Sequence, residues 1–514
     1  MNVGEWTTRH AHRRPEAACI KYNDLELNQR QFNERVNRLA NTFLERGIEK
    51  GQRVAVLLGN SNVFLEVLFA LSKIGGIMVP LNFRLAPPEL VYILNDAEPM
   101  MLLYSPEFLS VIQAMEGQLP SVKTLVCEME GGNPDDLEYE AWIKDQSVEE
   151  PAIDYDVDLG DPHFIMYTSG TTGRPKGAVV RQGQTQWNAI NGMLTYPQED
   201  TITDLCCAPL FHIGALHASA TPNLYQGNRL VIQRFFDPAQ ALKLIEENQV
   251  NLMFGIPVMF LFMSQVPEFQ NTDFSSVKFF LVGGSPCPKT IIETFQEKGV
   301  VFNQGYGMTE TATGVTALGS EDSLRKLGSC GKPLFHTDIR LVDLEGNDVA
   351  QGKKGEVLIK SPTVIKEYWR RPEESTNTIV DGWLHSGDIG YLDEEGYLYL
   401  VDRSKDMYIS GGENVYPAEV EDVLMSHAAV ADAGVIGVPD EKWVEVGLAV
   451  LVKAPEANVT KEEIIEYCKG KLAGFKRPRK VVFIDQLPRT LTGKILKKDL
   501  RSLYIKDGQF QPPE

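Results

Sequence analysis

Residues 167–177, YTSGTTGRPKG, combine paired hydroxyl side chains, three glycines and one lysine in a single short segment. Glycines let the backbone approach a ligand closely, and successive N–H groups in such a turn form a nest for an anion. Hydroxyl groups add donors, and a lysine adds a positive charge on a flexible stem. The segment therefore predicts a phosphate-binding loop, although it lacks the GxxxxGKS or GxxxxGKT order of the common P-loop. The loop residues assigned to phosphate binding are Thr168, Ser169, Gly170, Thr171, Thr172, Gly173 and Lys176.

The segments on either side of this loop predict how it is held. The apolar run HFIMYT before it predicts a buried strand, and QTQWNAINGMLTY after it predicts a helix. A strand, a glycine-rich loop and a helix in series would present phosphate oxygens to aligned N–H donors. Glycine and threonine runs also occur in ordinary loops, but the position after a buried strand favours phosphate binding.

Strand-like and helix-like segments alternate along much of the chain. RVAVLL and IMVPLN predict strands, whereas residues 27–50 and VFLEVLFALSKIGG predict helices. VNLMFGI and VKFFLVGGS predict two more strands with glycine or proline at their carboxyl ends, where open α/β sheets bind ligands. The alternation predicts an α/β fold with mainly parallel sheets. Residues 131–160, which are acidic and lack periodicity, predict a surface connection.

The pattern changes in the second half of the chain. From about Leu327, IRLVDLEGNDVAQGKKGEVLIKS and GYLDEEGYLYLVDR predict β-hairpins, and a smaller α/β unit follows Asp402. We therefore predict two domains. A large N-terminal domain, residues 1–402, has mixed and parallel sheets flanked by helices and a β-rich subdomain, and a small α/β C-terminal domain spans residues 403–514.

The composition argues against several classes of function. Asp and Glu outnumber Lys and Arg by 70 to 50, and the resulting charge of −20 repels nucleic acid at long range. The seven cysteines include no CxxC pair, which argues against a disulfide framework or a zinc site. The N-terminus lacks a signal-peptide pattern, and the most apolar stretch, residues 250–266, is too short to span a bilayer. We expect a cytoplasmic protein; a peripheral membrane contact through the basic residues 9–14 and a homodimer both stay open.

Four other segments form a set with the phosphate-binding loop. In chain order they are NQGYGMTE (303–310), SGDIG (386–390), DRSKDMYISGGENVYPAEVE (402–421) and PRTLTGKILKKDLR (488–501). Together the five segments resemble the signature motifs of adenylate-forming enzymes, which include acyl-CoA synthetases, peptide-synthetase adenylation domains and firefly-type luciferases. The resemblance covers nearly the whole chain. It implies an enzyme that joins a carboxylic acid to ATP, releases pyrophosphate and transfers the acyl group from acyl-AMP to a thiol.

The resemblance also assigns the residues that would act on the phosphates of ATP. Glu310 is the expected Mg²⁺ ligand, because magnesium prefers oxygen donors and shares its coordination with phosphates; Thr168 is a second candidate. Thr309 is expected to donate a hydrogen bond to the α-phosphate, and the opening loop with Lys176 to hold the β- and γ-phosphates. Alone, the Thr-Glu pair would instead predict a helix N-cap followed by an acid in the first turn. Residues 181–183, RQG, depart from a His-containing stretch common in the family.

Other residues correspond to the nucleoside site of the family. Tyr306 offers a flat face on which adenine would stack, and Asp388 and Arg403 match the residues that bind the ribose hydroxyls. A capping role in a turn is the alternative for Asp388. The remaining ATP-binding assignments by resemblance are Gly283, Gly284, Ser285, Gln304, Gly305 and Gly307.

A lysine far along the chain completes the site. Lys494 in TLTGKIL would ordinarily be interpreted as a surface lysine. In the family the matching lysine enters the active site during adenylation and steadies the carboxylate and the α-phosphate. Because Lys494 lies in the small domain, the resemblance implies that this domain is mobile and that its closure assembles the site. Lys405 is the expected hinge between the two half-reactions.

The same small domain is expected to bind CoA in the second half-reaction. Gly411 and Gly412 would let the pantetheine arm pass close to the backbone. By resemblance, Trp443 stacks on the CoA adenine, and Lys476 or its neighbour Arg477 meets the CoA phosphates. The cofactors and co-substrates implied are therefore ATP, Mg²⁺ and CoA.

The acid-binding pocket is expected near APLFHIGALHASA. His212 matches a residue that gates the acyl pocket in the family, with a satisfied core histidine as the alternative. The other candidates are small or apolar, namely Gly214, Ala215, Val258, Met259, Gly307 and Met308. No Asp or Lys among them would bind the polar groups of an amino acid, so a nonpolar acid is expected. LNFRLAPPEL and KEYWRRPE resemble stretches of medium- and long-chain fatty-acyl-CoA synthetases, and this resemblance implies a fatty acid; an aryl or alicyclic acid stays open.

Three other functions share parts of this pattern. A carrier-protein-loading adenylation enzyme would need a carrier domain, which we do not find before Glu514. A luciferase-like oxygenase uses the same first half-reaction. A non-catalytic nucleotide-binding protein would be expected to lack Lys494 or Glu310, and both are present. The sequence therefore predicts an AMP-forming acyl-CoA ligase.

Overall fold

The structure, a computed structural model, describes residues 1–168, 175–196, 201–343, 345–403, 406–410, 413–440, 443–469, 471–472, 474–489, 495–506 and 509–511. Within these ranges the chain has the mixed α/β fold that the sequence predicted. None of the helices in them is long and apolar enough to cross a membrane.

The helices vary from single turns to more than four turns. The α-helices among the described residues are α1 (Glu5–Arg13), α2 (Gln29–Glu45), α3 (Asn62–Ile74), α4 (Pro87–Ala97), α5 (Leu109–Ala114), α6 (Tyr139–Ile143), α7 (Gln182–Thr195), α8 (Ile213–Ala215), α9 (Thr221–Gln226), α10 (Pro238–Glu247), α11 (Pro257–Gln265), α12 (Lys289–Gln296), α13 (Pro372–Thr378), α14 (Pro417–Met425), α15 (Lys461–Tyr467) and α16 (Lys497–Tyr504). Pro106–Phe108, Pro267–Gln270, Thr309–Thr311 and Ser320–Asp322 form 3₁₀ turns, and Leu216–Ala220 forms a π-helix.

The strands are mostly short. They are β1 (Ala18–Tyr22), β2 (Leu25–Asn28), β3 (Arg53–Leu57), β4 (Ile77–Pro80), β5 (Met101–Tyr104), β6 (Thr124–Cys127), β7 (Leu137–Glu138), β8 (Pro162–Thr168), β9 (Lys176–Arg181), β10 (Thr203–Cys206), β11 (Arg229–Ile232), β12 (Leu252–Gly255), β13 (Phe279–Gly283), β14 (Phe302–Met308), β15 (Thr313–Leu318), β16 (Lys332–Pro333), β17 (Asp338–Val342), β18 (Gly355–Lys360), β19 (Ile379–Val380), β20 (Trp383–Leu392), β21 (Leu398–Arg403), β22 (Tyr408–Ser410), β23 (Glu413–Val415), β24 (Val430–Asp440), β25 (Val444–Lys453), β26 (Lys480–Phe483), β27 (Ile505–Lys506) and β28 (Gln509–Phe510).

The chain divides into two compact units, Met1–Ile339 with Ile359–Leu384, and Arg340–Leu358 with His385–Glu514. The first unit contains a seven-stranded sheet, β7-β6-β5-β3-β4-β8-β9, and a nine-stranded sheet, β16-β15-β14-β13-β12-β10-β11-β1-β2. Neighbours are parallel from β7 to β8 and from β14 to β1. The pairs at the edges are antiparallel, so the mainly parallel sheets that the sequence predicted are confirmed.

The second unit has its own sheet and its own apolar cores. The sheet runs β23-β22-β25-β24, and β26 pairs with β25 in parallel. Val435 and Leu451 pack into one core while Ile436 and Val450 pack into another, which is the period-two alternation of strands covered on both faces. A further five-stranded sheet, β17-β18-β20-β19 with β21 on β20, corresponds to the hairpins predicted from the sequence.

Three local predictions were wrong in detail. The phosphate-binding loop is followed by strand β9, which returns antiparallel to β8, and the predicted helix α7 begins only after it. The helix predicted for residues 27–50 is shorter, because Asn28 ends β2 and caps α2 through a reciprocal hydrogen bond with Gln31. Residues 131–160 include β7 and α6, whose Tyr139 is fully buried; short elements of this kind give little periodic signal.

Helix α3 runs through the core of the first unit, and all 13 of its residues are buried. Its polar side chains therefore need partners, since an unpaired buried charge is costly. The carboxylate of Glu66 accepts hydrogen bonds from Arg35 Nε at 2.7 Å and from the Tyr139 hydroxyl at 2.6 Å. The ammonium group of Lys73 donates to Asn33 at 2.8 Å, to Asn37 at 2.6 Å and to Glu150 at 2.7 Å.

Removal of the Lys73 charge should destabilise the protein much more than removal of an exposed one. In Lys73→Met, Glu150 and the two asparagines lose their donor, and we expect a loss of about 2–4 kcal/mol in the free energy of unfolding. This loss is smaller than the loss expected for a fully buried ion pair, because the Glu150 side chain is 47% exposed and water screens its charge. Urea unfolding followed by circular dichroism measures the change.

The matched control is Lys243→Met, which breaks an exposed pair with Glu247 on α10, whose side chains are 68% and 56% exposed. We expect this variant to lose less than about 0.5 kcal/mol. Equal losses in the two variants would show that the buried ammonium contributes no more than a surface charge.

Candidate active site

The segment predicted to bind phosphate lies between the two strands of a β-hairpin, β8 and β9. In the antiparallel pair β8–β9, Thr168 lies opposite Lys176 and Tyr167 opposite Gly177. The two predicted residues at the ends of the loop are therefore brought together by backbone pairing. The loop residues between them, Ser169, Gly170, Thr171, Thr172 and Gly173, lie outside the described residues.

Strand β9 is paired on its other edge by residues 367–369. The amide of Trp369 donates to the carbonyl of Gly177 at 2.7 Å, and the amide of Val179 donates to the carbonyl of Glu367 at 3.2 Å. Between these two bonds, Tyr368 forms an antiparallel bridge with Ala178. This pairing holds Tyr368 beside the strand that begins with Lys176.

A cluster of charged and polar side chains surrounds the ring of Tyr368. Lys176 Nζ lies 3.9 Å from Glu374 Oε1 and 5.8 Å from the centroid of the Tyr368 ring. The Tyr368 hydroxyl donates a hydrogen bond to Glu310 Oε1 at 2.9 Å. The structure thus places the loop lysine and the predicted metal ligand in contact with the same tyrosine.

Tyr368 and Glu374 are not among the site residues predicted from the sequence. Tyr368 lies within KEYWRRPE, a segment that resembles fatty-acyl-CoA synthetases, and Glu374 follows that segment directly. A tyrosine and a glutamate outside the signature motifs carry no chemical signal until the fold brings them next to Lys176 and Glu310. Only their position in the first unit identifies them.

Glu310 lies in a single 3₁₀ turn, Thr309–Thr311, between β14 and β15. No helix follows, so the helix N-cap interpretation of Thr309 and Glu310 is wrong. The turn ends at Ala312 and Thr313, whose φ values are 47° and 99°. Residues with a side chain rarely adopt such positive φ values. The carbonyl of Glu310 accepts from the amide of Ile365 at 2.9 Å, which fixes the backbone behind the carboxylate.

The donor set at Glu310 suits magnesium that arrives with a nucleotide. The described residues contain no cluster of three or more His, Cys, Asp or Glu side chains that would enclose a metal by itself. Mg²⁺ is usually held by one or two carboxylates together with phosphate oxygens and waters. Glu310, which contacts the same tyrosine as Lys176, fits that requirement. Thr168 lies opposite Lys176 in the β8–β9 pair and stays a prediction as a metal ligand.

The predicted base-binding residues lie on two neighbouring parallel strands. Gly283 at the end of β13 pairs with Gly305 of β14, so Gly284, Ser285 and Tyr306 follow at the same edge of the sheet. Gln304 is only 6% exposed, and its amide nitrogen has no hydrogen-bond partner among the described residues. A buried donor without a partner fits an acceptor atom of a nucleotide base.

The acyl-pocket candidates are joined through Thr313. Thr313 pairs with Met308, and its hydroxyl donates to the carbonyl of Ile213 at 2.9 Å, next to His212 and Gly214. A Cβ atom placed on Gly307 would lie 1.4 Å from the carbonyl oxygen of Thr313, so the strand pairing requires glycine at this position. A Cβ atom placed on Gly214 would lie 2.9 Å from the ring of Phe254, so this glycine packs directly against the ring.

His212 is exposed, which excludes the core-histidine interpretation. Its Nδ1 accepts from the amide of Gly214 at 3.2 Å and caps the short helix α8. The buried histidine of this segment is His217, whose pKa burial lowers to about 4. Of the remaining candidates, Val258 lies on α11 and is 40% exposed, whereas Ala215 and Met259 are buried.

The structure describes some of the predicted site residues of the second unit, and the others lie outside its described residues. Asp388 is 6% exposed, and the backbone pairing of β20 and β21 sets it opposite Arg403. The guanidinium carbon of Arg479 lies 4.6 Å from the centroid of the Trp443 ring. Lys476 Nζ forms a salt bridge with Glu419 Oε1 at 2.5 Å. Lys494, Lys405, Gly411 and Gly412 lie outside the described residues.

Comparison with known proteins gives matches along the chain. A family model described as AMP-binding enzyme matches residues 7–369, and one described as AMP-binding enzyme C-terminal domain matches residues 419–494. A feruloyl-CoA synthase of Amycolatopsis sp is 40% identical over 98% of this chain and 99% of the relative. The long-chain-fatty-acid–CoA ligase FadD13 of Mycobacterium tuberculosis is 40% identical over 94% of both chains.

Two solved structures support the same relationship. A fatty acyl CoA synthetase of Mycobacterium tuberculosis superimposes with a TM-score of 0.81 at 37% identity, covering 98% of each chain. An O-succinylbenzoate Coenzyme A synthetase of Bacillus subtilis, solved in complex with ATP and magnesium ion, gives a TM-score of 0.85 at 32% identity over 97% of this chain and 99% of the other. The family indicated by the sequence motifs is thereby confirmed: the chain belongs to the AMP-binding enzyme family and is an AMP-forming acid–thiol ligase, an acyl-CoA synthetase that uses ATP, Mg²⁺ and CoA.

Proposed function

We propose that this ligase activates a nonpolar carboxylic acid, with a medium- or long-chain fatty acid as the first candidate. The observation that carries the proposal is the apolar face of α11, where Val258, Leu261 and Phe262 are 40%, 39% and 47% exposed. Side chains three and four positions apart share one helix face, so a long acyl tail would find a continuous apolar contact there. The similarity to FadD13 supports this choice.

An aryl acid is the second candidate. The feruloyl-CoA synthase is as similar to this chain as the fatty-acid ligase is, at 40% identity. The Phe254 ring that packs against Gly214 would also suit an aromatic acid, because aromatic rings attract each other edge to face. A carrier-protein-loading enzyme has no comparable support.

For the first half-reaction we assign the phosphate-binding loop and Lys176 to the β- and γ-phosphates, Thr309 to the α-phosphate and Glu310 to Mg²⁺. The bound metal supplies positive charge that reduces the repulsion between a carboxylate and a triphosphate. A carboxylate oxygen then forms a bond to the α-phosphorus, and the bond to the bridging oxygen of the β-phosphate breaks. Pyrophosphate leaves, and acyl-AMP stays.

For the nucleoside we assign the base to Gln304 and Tyr306 and the ribose hydroxyls to Asp388 and Arg403. Lys494 completes the proposed site from the domain of residues 403–514, where its ammonium steadies the carboxylate and the α-phosphate. That group would neutralise charge only while the domain is closed. Closure therefore controls the first half-reaction in this proposal.

In the second half-reaction the same domain would turn about Lys405. The CoA thiol then attacks the acyl carbonyl, and the bond between the carbonyl carbon and the AMP oxygen breaks, so AMP leaves. Gly411 and Gly412 are assigned to the pantetheine path, and Trp443 and Lys476 to the nucleotide end of CoA. Because Arg479 covers the Trp443 ring and Glu419 pairs with Lys476, CoA would have to displace or join these partners.

A panel of acids tests the proposed substrate class. If a fatty acid is the substrate, kcat/KM should rise about fourfold for each added CH₂ between hexanoate and dodecanoate, since each buried CH₂ is worth about 0.8 kcal/mol. Acid-dependent pyrophosphate release measures the rate. Ferulate or 4-coumarate turning over faster than every fatty acid would select the aryl candidate instead.

The role of Lys494 predicts a selective defect. Lys494→Ala should slow acyl-AMP formation by about 10²–10³-fold, because one positive donor to the transition state is lost. Thioester formation from supplied acyl-AMP should change less than about twofold. Lys498→Ala, an exposed lysine on α16, is the matched control and should leave both steps unchanged. Equal loss of both steps in Lys494→Ala would contradict the assignment.

The hinge assignment predicts the opposite selectivity. Lys405→Pro fixes φ near −65° and should slow the conversion of bound acyl-AMP to thioester by about tenfold or more, with the first step preserved. Lys405→Ala, which keeps φ unrestricted, is the control. Single-turnover mixing of the loaded enzyme with CoA gives the rate, and a normal second step in the proline variant would exclude this hinge.

A further inference from the structure

Tyr368, which forms a hydrogen bond with Glu310, lies outside every signature motif of the chain. Tyr368 is 8% exposed, and its hydroxyl donates to Glu310 Oε1 at 2.9 Å. Its ring lies under the ammonium of Lys176, with Nζ 5.8 Å from the ring centroid, within the range of a cation–π contact. One side chain therefore contacts both charged groups to which we assign the handling of Mg²⁺ and phosphate.

The backbone holds this tyrosine firmly. Its amide donates to Ser375 Oγ at 2.8 Å, in addition to the strand-like pairing of residues 367–369 with β9. The neighbouring Trp369 is anchored by its indole nitrogen, which donates to the carbonyl of Asp96 at 3.2 Å. Asp96 also accepts from Arg371 at 2.7 Å, so the segment is fixed on both sides of Tyr368.

The hydroxyl proton of Tyr368 is directed at the carboxylate. Thr378 forms a side-chain hydrogen bond with the same hydroxyl, which leaves the Tyr368 proton for Glu310.

We propose that Tyr368 is a positioning residue: its hydroxyl holds Glu310 Oε1 so that Oε2 is presented to Mg²⁺, and its ring keeps the Lys176 ammonium on the phosphate side. The inference rests on the proposed role of Glu310 as the metal ligand and extends it. A carboxylate that ligates a metal is usually oriented by a hydrogen bond to its other oxygen, and loss of that bond typically weakens metal binding by 10–100-fold.

A purely structural role makes a different prediction, and the chain contains a suitable comparison. Tyr139 donates to Glu66 Oε2 at 2.6 Å in the core of the same unit, and neither residue belongs to the proposed site. Tyr139→Phe and Tyr368→Phe each remove one buried hydroxyl from a glutamate. Both variants should lose stability, but only Tyr368→Phe should change the response to magnesium.

The test measures the dissociation constant of ATP by calorimetry, with and without Mg²⁺, in the absence of an acid. For Tyr368→Phe we expect the gain in ATP affinity on adding Mg²⁺ to fall about tenfold or more relative to the unchanged protein. The Mg²⁺-free constant should change less than about twofold, because the ring under Lys176 is retained. In Tyr139→Phe both values should stay as in the unchanged protein.

Two further variants separate the possible failures. Glu310→Gln should abolish the gain from Mg²⁺; if the gain survives in this variant, the proposed metal role of Glu310 is wrong. If Glu310→Gln abolishes the gain but Tyr368→Phe keeps it, the metal role stands and the inference about Tyr368 is wrong. Tyr368→Leu removes the aromatic ring as well as the hydroxyl, and it should also weaken ATP binding in the absence of Mg²⁺. If Mg²⁺-free ATP binding is unchanged in this variant, the proposed role of the ring in positioning Lys176 is wrong.

Discussion

The pairing of strand β9 on both of its edges is the constraint on which the described part of the site depends. One edge pairs with β8 and sets Thr168 opposite Lys176, and the other edge receives residues 367–369, which carry Tyr368. Both edges are held by backbone hydrogen bonds, which fix strand register and spacing without depending on side-chain identity. This pairing fixes the positions of the side chains that meet at the strand, namely Lys176 and Tyr368.

Buried polar groups connect this strand system to the rest of the first unit. His217 contacts the carbonyl of Ala312 at 3.0 Å, at the end of the turn that carries Glu310. The π-helix Leu216–Ala220 that contains His217 also bears Ser219, whose hydroxyl donates to the buried carboxyl of Asp204. Burial raises the pKa of the Asp204 carboxyl to about 7. The Glu310 turn is thus supported from behind by a polar network and in front by Tyr368.

Much of the fold, the family and its use of ATP could be predicted from the sequence, because each depends on local pattern. HFIMYT and VKFFLVGGS have the apolar runs of buried strands, and the motifs around Glu310 and Asp388 carry their order along the chain. Strand β9 was missed because KGAVVR follows a glycine-rich loop of a kind that more often precedes a helix. The 3₁₀ turn at Thr309–Thr311 was missed because a Thr-Glu pair has the same local signature as a helix N-terminus.

The sequence by itself therefore determined the family, the α/β class and the acid–thiol ligase reaction, since motif order and hydrophobic periodicity are properties of the chain. The tertiary structure alone decided that Tyr368 and Glu374 stand beside Lys176, that Gly307 is required by Thr313 and that His212 is exposed while His217 is buried. These facts join residues up to about two hundred positions apart, as with Lys176 and Glu374. Contacts over such separations follow from strand pairing and packing, which no local pattern in the sequence encodes.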